Sequence, residues 1–284
     1  MNRIAAIALS ALFLAVQAHA QAIDGRLKKI LDAKSIAIAY RADAAPFSFL
    51  DEQKQPTGYS VELCKEVVRS IEAENRVRLE TRWVPVTIQN RFDAVASGAA
   101  DMECSSSTVT LSRMKQVDFS SLIFIESTGL LVRSASGARS LEDLKDKRIA
   151  VVADTTNARA VIDQIKRRGL GASVMQFKTR EEGFDALEAG KADAFASDKL
   201  LLVGAAAKAQ QPGLLRMLPD DLSFEPYGIA LPRGDATFRL AVNAALARLY
   251  PSDEMGQLFR RWFGSLGRPS GVLAAVYIFG SIPE

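Results

Sequence analysis

Histidine is all but missing from this chain of 284 residues; His19 is the only one. It falls in a leading segment built like an export signal: Met1-Asn2-Arg3 gives a positive start, an apolar run from Ile4 to Val16 follows, and Ala18-His19-Ala20 supplies small residues around a cleavage point. The apolar run is shorter than the ~20 residues of a membrane-spanning helix, which argues against the other reading, an uncleaved anchor. Cleavage is expected after Ala20, leaving a mature protein outside the cytoplasm with no histidine. Ser-His-Asp and Cys-His catalysis are then excluded, and so is the commonest metal ligand.

Cysteine is nearly as scarce. An oxidising compartment permits a disulfide between Cys64 and Cys104; two unpaired thiols packed as small apolar groups are the other reading. Two thiols without histidine make a poor metal site, so neither metal nor cofactor is expected. Aromatic residues make up 7% of the chain while alanine is common, which suits helices packed closely on sheets. Net charge is small: without the leader, 35 basic residues face 33 acidic ones, too slight an excess to point to nucleic acid. No low-complexity stretch or long linker interrupts the sequence. The length beyond the leader, about 260 residues, exceeds what one modest core organises and favours two lobes.

What is present is regular alternation. Short apolar runs trade places with helical patterns, which predicts an α/β fold with mainly parallel sheets flanked by helices. In the first half, strands are expected over 35–40, 77–86 and 102–104, with helices over 60–72 and 89–96. Val61, Cys64, Val67, Val68 and Ile71 carry the helical spacing of the first of these. In the second half, strands 148–153, 173–177 and 192–196 alternate with helices 155–168, 181–189 and 198–209. A strand at 227–231 and helical material over 236–263, broken at Pro251, complete the pattern.

One internal similarity organises these segments. Residues 92–106 and 184–198 align without gaps, and seven of the fifteen pairs are identical. Each copy reads as helix, glycine stop, tight turn and buried strand. Chance recurrence of a common connection is one explanation; two lobes on one plan is the other. Ligands of open α/β sheets bind beyond the carboxyl ends of the strands. Ser106 and Asp198 hold equivalent positions just past their strands, so facing lobes would turn both into one cleft.

Several residues near these strand ends suit an anionic ligand. The hydroxyls of Ser105-Ser106-Ser107-Thr108, with Arg113 shortly after, match a carboxylate. Asp154-Thr155-Thr156-Asn157 opens a helix whose first amides favour an anion, although Asp154 or Thr155 can equally cap that helix. Asp198 can likewise cap its helix, or accept an ammonium group. Arg41, Arg91 and Arg180 lie at further element ends, where guanidinium pairing could recognise a second carboxylate. Phe47, within Pro46-Phe47-Ser48-Phe49, is either a wall of the cleft or ordinary core.

Gly58-Tyr59-Ser60-Val61-Glu62-Leu63, Gln89-Asn90-Arg91, Glu103-Cys104-Ser105-Ser106-Ser107-Thr108, and Arg113 leading into Val117-Asp118-Phe119-Ser120 resemble the periplasmic glutamate/aspartate-binding proteins. These belong to the polar amino-acid-binding (solute-binding protein) family of ABC importers, and the similarity runs in order from about Ile36 to Phe263. The resemblance implies the two-lobed periplasmic binding protein fold, its two sheets joined by two crossing hinge strands that close on the ligand. The chain would divide into a signal peptide (1–20), a first lobe (21–129 and 227–270), a second lobe (130–226) and a tail (271–284). It also implies a monomer in the periplasm that takes a free amino acid, glutamate or aspartate, and hands it to a membrane ABC permease. Arg113 would grip the α-carboxylate with Ser106, Thr108, Thr155 and Thr156 nearby, Asp198 would take the ammonium, and Arg41 and Arg91 the side-chain carboxylate.

The chain departs from the family pattern at three places. Asp154 stands where glycine is frequent, Arg180 where acidic-ligand members can have histidine, and Ile88 where a small polar residue is usual. Another polar amino acid such as glutamine is therefore an alternative cargo. A dehydratase-like enzyme on the same scaffold is a second alternative; Glu103 and Asp198 would be its acids, and their arginine-rich surroundings are expected to lower their pKa. A receptor's sensory domain lacks a membrane span after the leader, since the apolar stretch at 272–279 is too short. That tail is expected to pack on the first lobe or along the hinge.

Overall fold

A helix between two strands carries the chain back to the edge where it started, so the next strand can pair in parallel with the first. That rule builds the centre of both sheets. The computed structural model describes residues 23–283, so the expected leader and its cleavage point lie outside the described residues. Helix α1 (Gly25–Ala33) leads into strand β1 (Ser35–Arg41). Three short strands, β2 (Asp43–Ala44), β3 (Ser48–Leu50) and β4 (Pro56–Thr57), form a small antiparallel sheet of their own. Helix α2 (Tyr59–Asn75), strand β5 (Glu80–Val86), helix α3 (Arg91–Ala96) and strand β6 (Met102–Glu103) follow, and β1 lies between β5 and β6, parallel to both.

The chain then crosses to a second sheet. Strand β7 (Val117–Glu126) belongs to the first, and β8 (Thr128–Arg133), one residue later, to the second. Strand β9 (Arg148–Val152), helix α4 (Thr156–Arg168), strand β10 (Ser173–Phe177), helix α5 (Arg180–Glu188), strand β11 (Ala194–Asp198), helix α6 (Lys199–Ala206) and strand β12 (Leu215–Met217) complete the second lobe. Strand β13 (Glu225–Pro232) returns to the first sheet, antiparallel to β7, and helices α7 (Ala236–Leu249), α8 (Asp253–Phe263) and α9 (Gly271–Gly280) close the chain. The orders are β5-β1-β6-β13-β7 and β10-β9-β11-β8-β12.

Each sheet therefore holds a parallel core of three strands flanked by antiparallel ones. The antiparallel members flank the two crossings, where no helix intervenes and the strand-helix alternation gives no sign of them. Local signals fix many boundaries. Gly169 ends α4 in the left-handed region at φ 61°, and Thr179 with Glu182 forms a reciprocal cap at the start of α5. Pro251 separates α7 from α8.

The core of the first lobe is aromatic at its centre. Phe47 is fully buried, with its ring centre 5.0 Å from that of Phe124 and 5.1 Å from that of Tyr227. Of the two readings, cleft wall and core, its contacts here are those of core: edge-to-face packing and the burial of a whole phenyl ring hold it inside the lobe. The disulfide Cys64–Cys104 ties α2 to the segment just after β6, with Cα atoms 6.4 Å apart. The tail packs on the first lobe as α9, where Tyr277 shares a 2.7 Å hydrogen bond with Tyr59 and stacks on Tyr250. No helix among the described residues is long and apolar enough to cross a membrane.

At the crossings Glu126 of β7 is paired in register with Glu225 of β13. Glu126 accepts from the amides of Ser127 and Leu200 at 2.8 and 3.2 Å. Burial, then the charge of Asp198, nevertheless push its pKa up from 4.5 to about 8. Between those values the folded chain keeps a proton that the unfolded chain releases, so this group's contribution to stability declines as pH rises through the window. Glu126→Gln is expected to flatten that decline and to gain stability over the wild type on the alkaline side, as read by thermal melts at the two ends of the window. Cys64→Ser with Cys104→Ser is expected to cost about 2–4 kcal/mol, because the bridge closes a loop with a sequence separation of 40; urea unfolding of both proteins measures it.

Candidate functional site

The cations predicted from the sequence come together in two pairs. Arg41 closes β1 and is 2% exposed. A guanidinium so buried requires a counter-charge, and Asp43 at the start of β2 provides it. Arg41 Nε donates to Asp43 Oδ1 at 2.9 Å, and Nη2 donates to both carboxylate oxygens at 2.7 and 2.6 Å. Arg180, the first residue of α5 in the other lobe, donates from Nη1 to the same carboxylate at 3.1 Å. Burial raises the pKa of Asp43, but Arg41 and then Arg180 overcome it and hold the group at about 2.

Arg91 and Arg113 form the second pair, with guanidinium carbons 4.2 and 5.2 Å from the centre of the Phe92 ring. Arg91 opens α3 and donates to Ser107 Oγ at 3.0 Å and to the Ile88 carbonyl. Arg113 Nη1 donates to the Thr108 carbonyl at 2.8 Å. Among the described residues, neither arginine has a carboxylate within ion-pair distance. Burial, then the charge of Arg113, bring Arg91 down to about 9; Glu103 opposes this, and Arg41 and Arg180 add to it. Arg91 therefore feels the charge of the three other guanidiniums.

Hydroxyls of both lobes meet beside them. Thr108 Oγ1 and Thr156 Oγ1 are 3.3 Å apart, and each donates to Glu225 Oε2 at 2.6 Å. Ser106 Oγ is buried and has no partner among the described residues, a condition that costs about 1–3 kcal/mol until something accepts its proton. Thr155 takes the capping role: its hydroxyl accepts from the Ala158 amide at 3.1 Å and donates to the Val152 carbonyl at 2.7 Å. What it leaves for an anion is the start of α4 itself. Asp154 adopts φ 60°, the left-handed conformation that glycine takes without cost. A cavity of about 290 Å³ opens here between Ser112 and Arg113 of one lobe and Asp154, Thr156 and Arg159 of the other.

Asp198 ends β11 and is 3% exposed. Although it sits at the first position before α6, its carboxylate makes no capping bond and instead accepts from Asn157 Nδ2 at 3.1 Å. Burial, then Glu225, raise its pKa, with Arg180 opposing. The expected lowering by arginines is corrected, because desolvation and a like charge outweigh one guanidinium. A carboxyl in that condition gains most from an incoming ammonium. The arrangement can therefore hold carboxylates at guanidiniums and hydroxyls, and a cation at Asp198.

Asp43, Glu225 and Asn157 escaped the sequence reading. Arg41-Ala42-Asp43 at a strand end is a readable pairing signal, whereas Glu225 lies before the strand expected at 227–231 and had none. Ile88 is an apolar contact between the lobes: it packs with Leu131, Val152 and Phe184 of the second lobe. Gln89 Nε2, next to it, donates to the Lys178 carbonyl across the cleft at 3.2 Å.

Residues 36–265 match the family described as bacterial extracellular solute-binding proteins, family 3. The chain is 35% identical to an L-glutamate/L-aspartate-binding protein from Pseudomonas aeruginosa, over 93% of this chain and 88% of that one. It is 31% identical to a glutamate/aspartate import solute-binding protein from Escherichia coli, over 92% and 86% of the two chains. The solved structure of an ancestral arginine-binding protein bound to arginine, 26% identical, aligns with a TM-score of 0.73 over 81% of this chain and 99% of that one. Two lobes, a double crossing and a match along most of the sequence agree: the chain belongs to family 3 of the bacterial extracellular solute-binding proteins.

Proposed function

We propose that this protein captures a free acidic amino acid, glutamate or aspartate, in the periplasm and delivers it to a membrane ABC importer. The observation that carries the reading is the pair of buried Arg91 and half-buried Arg113, side by side without a carboxylate partner among the described residues, in the same cleft as the buried acceptor Asp198. The names of the two aligned relatives point to the same ligands. In this reading Arg113 holds the α-carboxylate, with Ser106, Thr108, Thr156 and the helix start at Thr155 around it. Asp198 takes the ammonium, and Arg91, Arg41 and Arg180 face the side-chain carboxylate. The protein acts as a monomer, its leader removed after Ala20, with its two lobes divided at the crossings between β7 and β8 and between β12 and β13.

Capture needs no chemical step. A ligand that touches Arg113 in one lobe and Asp198 in the other gains both contacts only when the lobes are closed, so binding shifts the population toward the form the permease recognises. Micromolar affinity corresponds to about 8 kcal/mol, within the range of several desolvated charge contacts. One observation favours a dehydratase-like enzyme, the raised pKa of Asp198, since a general acid requires it. Assay of the purified protein for turnover separates the two. Arg113→Ala is expected to weaken glutamate binding by about 2–5 kcal/mol, measured by calorimetry; unchanged affinity would remove Arg113 from the site.

A further inference from the structure

Arg41 and Arg180, which the functional reading aims at the ligand's side chain, are already bound to the protein. Asp43 accepts three hydrogen bonds from Arg41 between 2.6 and 2.9 Å and one from Arg180 at 3.1 Å. A longer contact, 3.4 Å, joins Arg180 Nη1 to the Asp43 carbonyl. The two guanidiniums come from different lobes, so the carboxylate occupies a position that a ligand's own carboxylate would take to bridge them. Its side chain is 43% exposed while that of Arg41 is 2% exposed, so Asp43 is the partner free to swing toward solvent. Arg91 has no such internal competitor among the described residues.

Formal charge gives this contact a consequence. Arg41, Arg91, Arg113 and Arg180 stand against Asp43, Asp198, Glu103 and Glu225, and the electrostatic influence among them links all eight. Glu126, at about 8, adds no charge near neutral pH. Whatever the protonation of Asp198, losing Asp43 makes this set one unit more positive, which shifts the balance away from an amino acid of zero net charge such as glutamine and toward the single net negative charge of glutamate or aspartate.

We propose that Asp43 is a specificity-determining residue, an internal carboxylate that competes with the ligand's side-chain carboxylate for Arg41 and Arg180 and thereby sets how strongly the cleft prefers acidic over neutral amino acids. The inference rests on the functional reading above. Calorimetric titration of the wild type and Asp43→Asn with glutamate, aspartate and glutamine tests it. Removing the competing charge is expected to tighten glutamate relative to glutamine by about tenfold or more, the scale of one charge contact at a partly buried site. Asp43→Glu, which restores the charge, is expected to move the ratio back. Thermal melts establish that each variant is folded, and Asp43→Ser gives the same reading if asparagine disturbs the turn. A glutamate-to-glutamine ratio that stays at the wild-type value in folded Asp43→Asn overturns the role of Asp43 alone. Failure of every protein to bind any of the three amino acids overturns the functional reading and this inference with it.

Discussion

Four guanidiniums, two buried and two half-buried, share one cleft, and the rest of the site answers to that constraint. Like charges in a medium of low dielectric repel strongly unless each is matched by an anion or by oriented acceptors. Arg41 and Arg180 are matched by Asp43; Arg91 and Arg113 are held by carbonyls, a hydroxyl and the face of Phe92. The first pair is neutralised internally and the second is left with neutral partners among the described residues. An anion entering the cleft therefore finds its strongest unmet demand at Arg91 and Arg113.

The same charges hold the lobes together. Asp43 reaches across to Arg180, and Glu225 gathers Thr108 from one lobe and Thr156 from the other on a single oxygen. Both contacts use a carboxylate that joins groups of the two lobes. Glu225 stands on β13 beside Glu126 of β7, so the closure contacts and the strands that cross between the sheets are adjacent in the structure.

The parallel cores of both sheets could be read from the alternation of strand and helix, and the repeat at 92–106 and 184–198 located the two loops that carry Ser106 and Asp198. Strands β7 and β8 could not be read this way, because in residues 117–133 short apolar runs are broken by Ser120-Ser121 and Glu126-Ser127-Thr128 and no helix marks the crossing. Arg41, Arg91, Arg113 and Arg180 were legible as residues that end or begin elements, a position that turns a charged side chain toward the cleft. Their partners were not. Asp43, Glu225 and Asn157 matter through contacts that the fold makes, each across more than forty positions of sequence. Phe47 shows the converse: a local pattern is ambiguous between wall and core until the ring's neighbours are known.

The enzyme alternative and the binding reading differ over Asp198. Its pKa is raised by burial and by Glu225, a condition that suits either a proton donor or a seat for an ammonium group. A crystal structure of the protein grown with glutamate settles which role applies and tests the central claim directly. The account predicts one glutamate between the lobes, its carboxylates on Arg113 and Arg91 and its nitrogen against Asp198. A structure with the cleft empty at saturating glutamate, or with the ligand nitrogen turned toward the guanidiniums, would contradict it.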